Sequence, residues 1–202
     1  MRKSLIAVAT VLSLALSPSI ALADAAKPGQ SMTHMKTVAG VSSTLEAQGI
    51  LLYAQGGATA AVVGDSIGST NGQVVFHIPI TNSKTGVNHI GSNIVFFNSS
   101  NNKVVQLRNP VIDLKLGVVT AVIPQRSNEA VTVFQITNAA NLKATVSNDR
   151  RTKLRTKTYS LALSLSAGIG NELSSLLGVP AGSIPENLAF ATADVGLYSK
   201  LR

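Results

Sequence analysis

The chain has 202 residues, of which 45% are hydrophobic, 13% charged and 4% aromatic, with no cysteine and no tryptophan. That length allows one domain with a real core, and the apolar fraction excludes an intrinsically disordered chain. The missing cysteine excludes a disulfide scaffold, thiolate zinc and iron–sulfur sites, and a cysteine nucleophile. Lys and Arg number 17 against 9 Asp and Glu, a formal charge of +8. Charged residues stand at about half the usual ~25%, and Ser, Thr, Asn, Gly and Ala take their place, a composition of exposed sheet and turns.

Arg2 and Lys3 precede an apolar run from Leu5 to Leu16, Ser17-Pro18 interrupts it, and Ala21-Leu22-Ala23 offers small residues to a signal peptidase. This pattern predicts a secretory signal peptide over 1–23, cut after Ala23, with a cut after Ala25 as second choice. The exported remainder has 179 residues and, without Arg2 and Lys3, 15 basic against 9 acidic side chains, or +6. Residues 24–40 lack periodicity and read as a flexible leader, so the single β-rich domain is expected over 41–202.

In Ser42-Ser43-Thr44-Leu45-Glu46, Ser43 reads as a cap with Glu46 three positions on, predicting a short helix that stops at Gly49. Ile50 to Ala54 reads as a strand. Val74 to Ile80 is another, which Pro79 assigns to an edge or a bulge. Ile94–Phe97 and Lys103–Leu107 flank five turn-forming residues, Asn98 to Asn102, and so form a hairpin. Val111, Asp113 and Lys115 alternate with Ile112, Leu114 and Leu116, a strand with one wet face that places Asp113 toward solvent. Val118–Ile123, Val131–Ile136 and Leu142–Val146 continue the meander. From Arg151 to Ser166 the period is two throughout: Arg151, Lys153, Arg155 and Lys157 share a face that Tyr159, Leu161, Leu163 and Leu165 continue. One long strand from a basic exposed end to a buried end is predicted. Ile169–Leu177 reads as an amphipathic helix stopped by Gly178, and Leu188–Val195 as a closing strand. The fold class is therefore all-β, an antiparallel sandwich or open barrel with one or two short helices, after a cleaved signal peptide.

None of the nine carboxylates forms a local DxD, DxE or ExxE pair, so no glycosidase-type dyad is signalled. Gly64-Asp65-Ser66-Ile67-Gly68 matches GxSxG and resembles the block of the GDSL-type esterases. Turn sequence rather than a helix follows it, and no histidine lies beyond His89 to act as base. Ser66 is thus an esterase candidate ranked behind a non-enzymatic reading. His77 sits in a strand on the face opposite Phe76 and Ile78, and His89 in a glycine-flanked turn or strand start. Neither has a partner at i+2 or i+4, so no preformed zinc site is expected and no metal ligands are assigned. Tyr53, Tyr159 and Tyr198 are the tyrosines that could join a histidine on haem. The strongest charge feature is Arg150, Arg151, Lys153, Arg155 and Lys157. It suits an anionic envelope polymer or a membrane surface, or simply guards a strand edge against pairing. With only Tyr159 adjacent, aromatic stacking for nucleic-acid readout is missing.

Several short blocks resemble a group of secreted actinobacterial β-proteins that includes the HtaA-type haem-uptake domain. They are Leu45-Glu46-Ala47-Gln48-Gly49-Ile50, Ile78-Pro79-Ile80-Thr81, Gly86-Val87-Asn88-His89-Ile90-Gly91 and Leu107-Arg108-Asn109-Pro110-Val111-Ile112-Asp113. The element from Ala167 to Gly178, with Gly182 and Ala189 after it, extends the similarity across 45–195. The resemblance implies a haem-binding module in which a tyrosine ligates the iron and a histidine supports it. His89 fits the histidine position and Tyr53 is a weaker match for the ligand. The leading expectation is a secreted or cell-envelope, non-enzymatic binding or surface-structural protein without a cofactor. Haem binding through Tyr53 and His89 is the alternative.

Overall fold

The computed structural model describes residues 30–63 and 72–201. The expected signal peptide with both of its cleavage points, residues 24–29 of the expected leader, and Ser66 with its GxSxG block lie outside the described residues. Twelve strands and two helices follow in the order β1 (Met32–Thr37), α1 (Val41–Ala47), β2 (Ile50–Gly56), β3 (Thr59–Val63), β4 (Gln73–Pro79), β5 (Val87–Asn88), β6 (Ser92–Asn98), β7 (Lys103–Asp113), β8 (Val118–Val122), β9 (Ala130–Ile136), β10 (Ala144–Asp149), β11 (Leu154–Leu165), α2 (Ile169–Leu177) and β12 (Ala189–Lys200). They form one antiparallel sheet in the order β2-β6-β7-β8-β9-β11-β12-β1-β4-β3, with β5 added to β7 and β10 to β11. The two terminal strands, β2 and β3, are consecutive in the chain, so the edges of the sheet come back together. The all-β architecture is a nearly closed barrel. At the β2–β3 turn the Gly57 N–H donates to the Gly91 carbonyl at 2.8 Å. Gly56 has φ +71°, and a Cβ there would sit 2.0 Å from the Gly91 oxygen, so only glycine fits.

Alternation along each strand sorts the side chains into an inner and an outer set. Val74, Phe76 and Ile78 of β4, Ile94 and Phe96 of β6, and Leu161, Leu163 and Leu165 of β11 point inward and are buried. Phe190 at the start of β12 stacks against Phe96 and Phe134 with ring centroids 5.9 and 5.1 Å apart. The barrel is thus filled by side chains, each large one contributing about 1.5–3 kcal/mol on burial.

β1 and β11 both pair antiparallel with β12 and therefore run the same way, so the helices that follow them, α1 and α2, lie at the same end of the barrel. Ile169, Leu173 and Leu177 bury one face of α2. Its N-cap is Gly168, with no side chain to cap it. Glu186, from the loop beyond, supplies the cap by accepting from the N–H groups of Gly168 and Asn171 at 2.7 and 2.8 Å. At the other end of α2 the buried amide of Asn98 and the amide of Asn101 both donate to the Leu177 carbonyl at 2.9 Å. No described helix is long and apolar enough to cross a membrane.

The structure departs from the sequence reading at several elements. The segment expected as leader holds β1, an internal strand between β12 and β4. The helix expected from Ser43 begins at Val41, and the Ser43 hydroxyl donates back to the Gly40 carbonyl from within it. Pro79 does not put β4 at an edge. It is the last residue of an internal strand, beyond the stretch where β3 pairs. The two strands expected over 103–116 are one, β7, bent by a register shift between Arg108 and Val111 where Asn109 takes φ +50°.

Candidate functional site

β11 and β12 are each 12 residues long and outrun their neighbours, since β1 pairs with β12 only as far as Gly196 and β9 pairs with β11 only over Leu163–Leu165. Their outer halves, Leu154–Thr158 against Gly196–Lys200, leave the barrel at the end opposite the helices and take β10 with them. The result is a three-stranded tongue reaching about 15–20 Å beyond Tyr159, at ~3.3 Å per residue. The long strand expected from Arg151 starts only at Leu154, because residues 150–153 form the β10–β11 turn. Asp149 builds that turn, its carboxylate accepting from the Arg151 and Thr152 N–H groups at 2.8 and 3.3 Å. The Thr152 hydroxyl first, and then these amides, hold the carboxyl below its ordinary range.

Of the five basic candidates, Arg150, Arg151 and Lys153 crowd the turn and Arg155 and Lys157 lie on β11; all five are exposed. Lys143 and Lys200 add to them, so residues 143–158 and 196–201 carry seven basic side chains against Asp149 alone. The ion pair present among the described residues, Arg126 with Glu172, lies elsewhere. No described acid is ion-paired with the tongue's basic side chains, and seven bases against Asp149 leave it at +6. Because Tyr159, Leu161 and Leu163 face the barrel interior, period two places Arg155 and Lys157 on the same face, as a basic continuation of the inner wall.

Where that wall leaves the barrel, an open cleft of about 460 Å³ is lined by Lys84, Lys115, Lys157, Asp113, Tyr159 and Leu197, among others. The Lys157 ammonium stands 5.0 Å from the centroid of the Tyr159 ring. Asp113 accepts from the N–H groups of Lys115 and Leu116 at 2.9 and 2.8 Å, so one of its oxygens is engaged in the turn. Its side chain is half-buried at the cleft. Three ammonium groups against one carboxylate make the cleft suited to an anion. Lys84 and Lys115 escaped the sequence reading because they reach the cleft from two different loops.

The structure does not bring Tyr53 and His89 together. On β2, Ile50 and Leu52 are buried in the core, so Tyr53 projects from the outer face, paired across to Val95. His89 projects inward and is 1% exposed. Both of its nitrogens are in use: Nδ1–H donates to the Pro110 carbonyl at 2.9 Å, and Nε2 accepts from the Thr33 hydroxyl at 2.8 Å. Burial holds its pKa below the ordinary value, the Pro110 hydrogen bond opposing, so the ring is neutral at pH 7. The cavity it borders is apolar and about 20 Å³, lined also by Met35, Ile94 and Phe134. That is room for about one water molecule and none for a macrocycle. Tyr159 borders the mouth cleft, and Tyr198 lies on the outer face of the tongue, opposite Thr156.

Comparison with protein-family models, with curated proteins and with solved structures finds no match to this chain. The likeness to HtaA-type domains accordingly rests on its short sequence blocks.

Proposed function

We propose that this chain is an exported, non-enzymatic binding module that holds an anionic cell-envelope polymer on its basic tongue and mouth cleft. The observation that carries the reading is the net-basic tongue, free of ion pairs among the described residues, whose inner face leads from Arg155 and Lys157 into the cleft of Lys84 and Lys115. Side chains at i and i+2 on one strand face repeat at about 6.6–6.8 Å, a spacing that a flexible polyanion can follow. A structured strand ladder holds these charges in place, so little ordering is left to bind. Base stacking has little to work with, since Lys157 already stands over Tyr159.

The test is co-sedimentation of the chain with purified envelope polymer across a salt series. Binding through several charge contacts weakens steeply with salt. Reversing Arg151, Arg155 and Lys157 to Glu should abolish the salt-sensitive binding while leaving the thermal midpoint within a few degrees of the parent. Equal binding by parent and reversed chain, or binding that ignores salt, refutes the proposal. Equal loss of binding to vesicles of anionic lipid would place the tongue at a membrane surface instead.

A further inference from the structure

His34 on β1 and His77 on β4 are directly paired across the two strands, on the outer face of the barrel. Their Nδ1 atoms face each other at 2.8 Å, and the rings meet edge-to-face with centroids 4.8 Å apart. Neither side chain contributes to the core. On the far side of His34, in register on β12, stands Asp194, whose carboxylate is engaged by the Ser160 hydroxyl at 2.6 Å. Thr59 of β3 stands beside His77, and Lys36 is the next outward residue of β1. Among the described residues neither ring is ion-paired with a carboxylate.

We propose that His34 and His77 form a cis-dihistidine site for a divalent transition-metal ion of square-planar or octahedral preference, with copper(II) as its best occupant. The spacing argues for this class of ion. Two nitrogens each about 2.0–2.1 Å from one metal stand about 2.9 Å apart at a right angle, and about 3.3 Å apart at the tetrahedral angle of a zinc site. The observed 2.8 Å matches the right angle. Rotation of the two rings about their Cβ–Cγ bonds, each by up to about 45° from the hydrogen-bonded arrangement, aims both Nδ1 lone pairs at a shared ion while the ladder keeps the two atoms close. The proton now between them moves to Nε2 of the ring that held it, and water completes the coordination. The position in the affinity series for divalent ions likewise favours copper over nickel and zinc. The sheet fixes the pair because β1 and β4 are internal strands, each bonded on both sides.

Copper(II) is titrated into the full chain, purified without a histidine tag, against a competing chelator, with the paramagnetic resonance spectrum as second readout. The expected result is one equivalent of copper bearing two imidazole nitrogens. His34→Ala and His77→Ala should each weaken binding at least about tenfold, since losing even an outer-shell partner of a ligand costs about 10–100-fold. Both residues are on the outer face, so the variants keep the fold, which circular dichroism checks. A spectrum with one imidazole nitrogen or none, or an affinity that both variants share with the parent, overturns the proposal. The latter result would place the copper on the amino terminus or another group. Neither outcome bears on binding by the tongue, which lies on different residues.

Discussion

Acidification should destabilise this barrel through His89, and the geometry sets both the sign and the size. The ring is sealed between the Pro110 carbonyl and the Thr33 hydroxyl beside an apolar cavity. Protonating Nε2 would force Thr33 to stop donating and would place a charge where no described carboxylate faces it. The folded pKa therefore lies below the unfolded value of about 6.5, and between the two the unfolded chain binds more protons. Stability from this source is complete above about pH 6.5, falls as the pH drops below it, and levels off once the lower folded pKa is passed. The slope in that window can reach about 1.4 kcal/mol per pH unit for one proton. Urea midpoints measured from about pH 8 down to about pH 5 read it directly. His77, also pulled down by burial and by His34, contributes with the same sign, so the series is repeated in His77→Ala. Asp149 is depressed from 3.8 and acts only below this window. Thr33→Val, which strips the partner from Nε2, should cost about 1–3 kcal/mol at pH 7. A flat profile in His77→Ala, or nitrogen shifts showing a charged His89 at pH 7, would refute the reasoning.

Two further outcomes test how the helix end of the barrel is held. Glu186→Ala removes the acceptor for the Gly168 and Asn171 N–H groups and should lower stability by about 0.5–2 kcal/mol, whereas Glu186→Asp should recover part of it; chemical denaturation compares the two. A fully neutral effect would mean that solvent caps α2 as well as the carboxylate does. Gly170→Ala should cost about 1–3 kcal/mol although alanine favours helices, because the new Cβ would lie 2.6 Å from the Ile184 carbonyl oxygen and 2.8 Å from that of Pro185. A thermal midpoint at or above the parent's would show that the Ile184–Pro185 loop yields freely.

The parity of a strand is legible where its two faces differ chemically, and illegible where they do not. β11 shows both cases. Leu161, Leu163 and Leu165 identify the inner face, and the basic residues at Arg155 and Lys157 extend it. Arg151 and Lys153 keep the same spacing while sitting in a turn, so period alone carried the expected strand three residues too far. β1 was hidden because two of its inward residues are threonines. Thr33 is satisfied by His89 and Thr37 by the Val74 N–H, partners 56 and 37 residues away that a local reading of polar residues does not reveal, with the nearby Ser42 hydroxyl bonding Thr37 as well. Tyr53 failed as a partner for His89 for the opposite reason. Ile50, Leu51 and Leu52 are apolar at both parities, and nothing local says which set turns inward. The His34–His77 pair lay beyond reach for a related cause: its ligands are joined only by the register of two strands, one of them read as leader.

The tongue and the barrel depend on each other through a shared backbone. The β11–β12 ladder runs without a shift from Leu154↔Lys200 to Leu163↔Ala191, crossing from solvent into the core. Like charges two residues apart on one face, as at Arg155 and Lys157, repel by ~0.6 kcal/mol in water and by less at physiological salt. A free hairpin with this sequence would gain little to offset that, since its outer pairs bury little apolar surface. Here the inner halves of the same strands bury Leu161, Leu163, Ala193 and Val195, so the repulsion is sustained by packing elsewhere. An anion that settles between the basic side chains relieves the repulsion without reshaping the strands. The twelve-residue length of β11 and β12 thus has a physical reading: the inner half supplies the stability that lets the outer half stay charged, extended and without ion pairs.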